Sequence, residues 1–142
     1  MRKDLLVMIV TIIIAAMVPC IAFADAELDI PVDEEISEEY SYASTVSSTL
    51  VISNNGTAKP RAVITGLPGT TTKLAATMYL QKYSDGSWKT VKHWSASTTL
   101  NSLQLSKSKT VSKGKYRTHT VFKAYHNSGS ERIVKNSKSA NY

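Results

Sequence analysis

The side chains that could break a covalent bond are few in this sequence, and their spacing does not assemble a reaction. Past Tyr42 the only carboxylates are Asp85 and Glu131, and Asp85 is committed to an Asp85-Gly86 turn. Sugar hydrolysis needs two carboxyl groups at a defined separation, so no such pair is free. His93, His119 and His126 have no acid near them in sequence, and no nucleophile-elbow glycine pattern surrounds any serine. His-x-x-x-His, cysteine pairs and acidic loops, the usual holders of zinc and calcium, do not occur after Tyr42. The expectation is a protein that is not an enzyme, with no catalytic residue, no metal and no cofactor.

Residues able to bind without reacting are numerous and regularly placed. Tyr79, Tyr83, Trp88 and Trp94 offer ring faces for stacking, and Lys92, Lys115, Arg117 and Lys123 set positive charge among them. Rings stack on sugars or bases while the cations meet phosphates, so interleaving the two suits a charged polymer. Each Lys or Arg near an anionic surface contributes about 1 kcal/mol before screening. These residues form the candidate ligand-binding set.

The charge that serves them is hidden in the average. The whole 142-residue chain is only +6. Residues 25–42 contain eight acids and no base, whereas residues 43–142 contain 15 Lys and Arg against two acids, a net +13. The acidic run is too charged to pack and is expected to be disordered. A sharper expectation makes it an intramolecular partner that lies on the basic domain and masks it.

Residues 1–24 read as a signal peptide with a signal helix. Met1-Arg2-Lys3 is a basic start, residues 5–18 are almost unbroken apolar, and Ala22 and Ala24 are the small residues of a cleavage site before Asp25. The apolar stretch is also long enough to be an uncleaved anchor, but Pro19 and the small residues favour cleavage. Cys20, the single cysteine, would leave with the leader. The mature domain then holds together without disulfides, although export permits them. The expected location is secreted and extracellular, the product being either free or held to the cell wall by non-covalent contacts.

The elements that must position the binding set are strands. From Ala43 onward Ser, Thr, Val and Tyr abound, Gly and Asn punctuate at short intervals, and no 3.6-residue apolar period is sustained. Seven strands are expected, near 45–53, 61–65, 72–83, 87–95, 100–111 (broken around Lys107), 115–125 and 131–137. Asp85-Gly86 favours a two-residue hairpin turn that fixes the register of its flanks. Tyr83 then faces Trp88, Gln81 faces Thr90, Tyr79 faces Lys92 and Thr77 faces Trp94 on one side. Leu80 with Val91 and Met78 with His93 lie on the other side, which is the natural core. The rings and Lys92 are thus expected outward, with His93 and His126 inward and His119 outward. A slip of one residue would exchange the faces, and a bulge that sends the tryptophans into the core is the alternative. In the strand at 115–125, Lys115, Arg117, His119, Val121, Lys123 and Tyr125 share one side and are expected outside.

Ser112-Lys113-Gly114-Lys115-Tyr116-Arg117-Thr118 resembles the tyrosine corner of immunoglobulin-like domains, with Thr118 where antibody domains carry a cysteine. The resemblance implies an all-β, seven-stranded, immunoglobulin-like antiparallel β-sandwich over residues 43–142. More broadly, residues 62–142 resemble a family of uncharacterised small secreted proteins from Gram-positive bacteria. The cues are the leader, Leu80-Gln81-Lys82, the aromatic strand from Ser87 to Trp94, Gly114-Lys115-Tyr116-Arg117 and a final strand carrying Glu131. That likeness implies export and fold and assigns no site.

Together these features lead us to expect a secreted, non-enzymatic, cationic binding or structural module that meets an anionic cell-wall polymer or a membrane surface. The competing class is a bacteriocin-like or toxin-like protein restrained by its acidic segment. Single-stranded nucleic acid is a third partner, which export disfavours. A plainer expectation is that the lysines only keep a β-domain soluble and guard its edges.

Overall fold

The computed structural model describes residues 39–142. The expected signal helix and most of the acidic segment lie outside the described residues. Among the described residues all regular structure is β: β1 (Ala43–Ile52), β2 (Thr57–Gly66), β3 (Lys73–Ser84), β4 (Ser87–Thr98), β5 (Ser102–Ser106), β6 (Lys109–Thr110), β7 (Lys115–His126), β8 (Gly129–Asn136) and β9 (Ala140–Asn141).

Alternation builds these strands into two facing layers. β3 buries Leu74, Ala76, Met78 and Leu80, and β7 buries Tyr116, Thr118, Thr120, Phe122 and Ala124, while the residues between them face outward. Each inward apolar side chain removed from water stabilises the sandwich at about 25 cal/mol per Å². One antiparallel sheet has the order β1-β2-β5, with β6 also paired to β2. The other has the order β4-β3-β7-β8, with β9 paired to β7. In immunoglobulin lettering these are A-B-E against C′-C-F-G, so the expected all-β immunoglobulin-like sandwich is the fold of this domain.

The tyrosine corner is present as its sequence implies. Tyr116, 1% exposed, donates its hydroxyl proton to the carbonyl of Ser112 at 2.8 Å. Thr118 takes up the inter-sheet role of the missing cysteine, its Oγ1 donating to the carbonyl of Thr49 at 3.3 Å. Beside it Ser48 Oγ and Thr120 Oγ1 lie 3.0 Å apart. Every buried side-chain polar atom among the described residues has a partner. The chain ends against the same corner, with Tyr142 exchanging backbone hydrogen bonds with Gly114 at 2.9 and 3.2 Å. Its ring fills the space over Gly56, where a Cβ would come within 2.6 Å of it.

One strand boundary departs from the sequence expectation and one expected break is accounted for, both by the same proline. β2 begins before Pro60 rather than after it, since the side of Pro60 that lacks an N–H faces the third strand of the sheet. Pro60 O accepts Lys107 N–H at 3.1 Å but has no donor to return. The third strand therefore breaks there into β5 and β6, the interruption expected around Lys107.

A larger departure lies in β4. The hairpin register holds from Ser84 opposite Ser87 to Gln81 opposite Thr90 and then shifts by one, so that Leu80 pairs with Lys92, Tyr79 with His93 and Met78 with Trp94. Val91 is the inserted residue of a β-bulge, 45% exposed. Beyond it every side chain of β4 changes face. Trp94, expected outside, packs inward against both core clusters, the larger around Leu74, Met78 and Phe122 and the smaller around Ala58, Leu80 and Tyr116. His93, expected inside, is exposed beside Tyr79. Lys92 takes the inward register position opposite Leu80 yet stays exposed, because β4 is the edge of its sheet. The bulge thus buries a large ring and bends an edge that would otherwise be a flat template for pairing.

The residues just before β1 also pack. The carboxylate of Glu131 accepts the backbone N–H groups of Ser41 and Tyr42 at 3.2 and 2.9 Å, and Thr71 Oγ1 donates to the carbonyl of Tyr42 at 2.6 Å. The Tyr42 ring stacks on His126 at 3.9 Å, and Tyr40 and Tyr42 both lie against the core. One of the domain's two carboxylates is thereby spent on anchoring the chain that enters the sandwich.

Candidate binding face

The outer side of the β4-β3-β7-β8 sheet carries the candidate site, and strand register lays it out in rows. The row nearest the hairpin tip brings Trp88 beside Tyr83, their rings 5.2 Å apart edge to face. Lys115, on the neighbouring strand, places its Nζ 5.7 Å from the Tyr83 ring. In the next row Gln81 pairs with both Thr90 and Arg117. Arg117 lays its guanidinium on the Trp88 ring at 4.5 Å and donates from Nε to Gln81 Oε1 at 2.9 Å. A cation over an indole face is attracted by the ring while giving up little hydration, and the bond from Nε to the Gln81 amide holds the guanidinium in place there.

The third row is His93, Tyr79, His119 and Asn136 across four strands. The Tyr79 ring lies 5.7 Å from His93 and 5.9 Å from His119, and His119 Nδ1 lies 2.7 Å from Asn136 Oδ1. At the far end Lys73 and Lys123 place their Nζ atoms 5.4 and 5.1 Å from the ring of Tyr125. Arg132 pairs with Lys123 on the adjoining strand.

Of the residues singled out from sequence, Tyr83, Trp88, Lys115 and Arg117 meet in one cluster. Tyr79 joins it through the next row, and Lys123 lies on the same face near the opposite end. Lys92 and Trp94 are not part of it, for the bulge turns both away. The sequence reading left out Gln81, His93, His119, Lys73 and Tyr125 as site residues. Gln81 and Tyr125 had a signal, since hairpin register and strand parity already set them among the chosen side chains. His93 had none without knowledge of the bulge.

The face is electrostatically one-sided. Among the described residues the only ion pair is Lys89 with Asp85 at 3.7 Å, at the turn, and both side chains are largely exposed. Glu131 takes an inward-facing position on β8 and is occupied by Ser41 and Tyr42. Of the two acids after Tyr42, Asp85 is held at the hairpin turn by Lys89 and Glu131 faces inward, so neither stands among Lys115, Arg117 and Lys123. Nor do three of His, Cys, Asp and Glu among the described residues come together as a metal site would require. The arrangement can therefore do two things at once: attract negative charge and offer flat ring faces to whatever carries it.

No protein-family model matches the chain, and no curated protein matches it.

Proposed function

We propose that the chain is an exported, non-enzymatic binding module, akin to small secreted proteins of Gram-positive bacteria, that holds anionic cell-wall polymers on the outer face of its β4-β3-β7-β8 sheet. The observation that carries this reading is the Arg117 guanidinium, stacked on Trp88 and gripped by Gln81, beside Tyr83 and Lys115, with neither Asp85 nor Glu131 among them. Polyol-phosphate polymers alternate polyols with phosphates and carry sugar rings as substituents, so the cations would meet the phosphates and the aromatic rings the sugars. Lysines that serve solubility alone need no such stacking.

Retention on wall sacculi across a salt titration tests it. Binding should fall when the phosphate polymer is stripped from the sacculi. It should also weaken by about tenfold in Trp88→Ala, which alters no charge and removes one stacking surface. Equal retention on stripped and intact walls, or unchanged binding by Trp88→Ala, overturns the reading.

The eight acids that precede Tyr40 are the natural internal competitor for such a face. Deleting residues 25–38 should tighten polyanion binding at low salt. Unchanged binding would show that the acidic segment does not compete.

A further inference from the structure

The opposite face of the sandwich holds a second basic site of a different shape. On the outer side of the β1-β2-β5 sheet, where Pro60 interrupts the ladder, the gap between β5 and β6 opens into a cleft of about 700 Å³. Three cations line it: Lys59 and Arg61 from β2 and Lys107 from the interruption itself. Thr49, Arg61 and Ser106 form one row across the three strands, so a hydroxyl stands on either side of the guanidinium, and Ser108 adds another. Val51, 63% exposed, gives the cleft an apolar wall.

The hydrogen bonds that link this row to Gln104 in the next one run in one direction. Arg61 Nη2 donates to Gln104 Oε1 at 2.9 Å, and Gln104 Nε2 donates to Ser106 Oγ at 3.4 Å. Ser106 is left as an acceptor towards Gln104, with its own proton available to the cleft. The remaining N–H groups of Arg61 are likewise unclaimed by any carboxylate among the described residues. A wall of cations and hydroxyl donors with no acid among its residues selects an oxyanion, and the guanidinium fork suits paired oxygens on one phosphorus. The volume lies in the range of small-molecule sites and exceeds that of a lone phosphate.

We propose that this cleft binds a phosphodiester with a polyol on each side, the Arg61 fork and the Ser106 hydroxyl meeting the phosphoryl oxygens and Val51 lying against the polyol carbons. The two sheets then present two different sites: an open aromatic face, and a cleft that takes one phosphoryl group. The cleft stands on its own observations and does not depend on the aromatic face being a binding site.

Amide NMR titrations of the domain at fixed ionic strength, with inorganic phosphate, glycerol 3-phosphate and glycerophosphoglycerol, test this. Saturable shifts are expected at Lys59, Arg61 and the Ser106-Lys107-Ser108 stretch. Glycerophosphoglycerol should bind tighter than inorganic phosphate, because only the diester also covers Val51. Lys107→Gln, an exposed change that leaves the core alone, should weaken the diester by about tenfold, the worth of one charge-assisted contact. Arg61→Lys keeps the charge and should weaken it too, whereas Lys89→Gln, at the exposed hairpin turn and outside the cleft, should leave it unchanged. Shifts confined to the Trp88 and Arg117 face with none at the cleft, shifts scattered over all lysines, or no saturation of the cleft amides at millimolar ligand each overturn the proposal. Tighter binding of inorganic phosphate than of the diester overturns the assignment of a diester.

Discussion

Trp88 and Trp94 stand six residues apart in one strand, an even spacing that puts both on the same side of a regular β-strand. The structure puts them on opposite sides. Trp88 lies outside, under Arg117, while Trp94 lies inside, against two core clusters. Between them sits one inserted residue, Val91. The same side chain in the same strand is an outward ring beneath a cation in one place and packing material in the other, and what separates the two is a single bulge at a sheet edge.

The largest test of that contrast is truncation of each ring. Trp94→Ala removes a partly buried ring that bridges the two clusters, and should cost about 3 kcal/mol, the low end for losing a packed aromatic. Thermal unfolding should then fall by more than about 10 °C for a domain of this size. Trp88→Ala gives up one cation–ring contact and one ring pair and should cost about 1 kcal/mol. Denaturant titrations of the two variants check the order. If Trp88→Ala proves the more destabilising, the assignment of inner and outer tryptophan is reversed.

The bulge itself gives a smaller and less intuitive effect. Deleting Val91 leaves Gln81 opposite Thr90 and Leu80 opposite Lys92, so both tryptophans keep their faces in what becomes a regular strand. Stability should change by less than about 1 kcal/mol, because the deleted side chain is largely exposed. What should change is the edge, which loses its bend and offers unpaired backbone groups to another copy. Concentration-dependent association by sedimentation, with Trp94 still shielded from a fluorescence quencher, is the expected result. A Trp94 that becomes accessible to the quencher would mean that Val91 holds the register rather than filling it.

These two tryptophans also show how far the sequence reaches. The alternation in β3 and β7 is long and strict, so the core-facing sets Leu74 to Leu80 and Tyr116 to Ala124 could be read directly, and the Asp85-Gly86 turn fixed the pairs nearest it. Tyr83 with Trp88 followed from register and parity, whereas the nearness of Arg117 and Lys115 rests on the immunoglobulin-like strand order that sets β7 beside β3. The bulge left no mark, because Thr90, Val91 and Lys92 are ordinary strand residues and the force that shifts them is tertiary: a ring that gains more by filling the space beside Met78 than by facing water. An error of one residue then carried Trp94, Lys92 and His93 to the wrong faces together. The cleft beside Arg61 was half visible. Pro60 and the break at Lys107 both stand in the sequence, but that they face each other across a strand pair is a fact of topology.

The smallest effect separates charge from geometry at the outer cluster. Arg117→Lys keeps the formal charge, and losing the planar contact with Trp88 and the bond to Gln81 should cost only about 0.5 kcal/mol of stability at this partly exposed position. The salt dependence of polyanion binding counts the charges engaged, so its slope should be the same as for the unaltered protein. Affinity at a fixed salt concentration should nonetheless fall a few-fold, because an ammonium on a flexible stem is neither held by Gln81 over the indole nor able to offer two donors to one phosphate in the fork geometry. An unchanged slope with reduced affinity means that the arrangement of Trp88, Gln81 and Arg117 contributes beyond its charge. If slope and affinity both stay as they were, the face acts as a diffuse cation, and the stacked guanidinium belongs to the stability of the sheet alone.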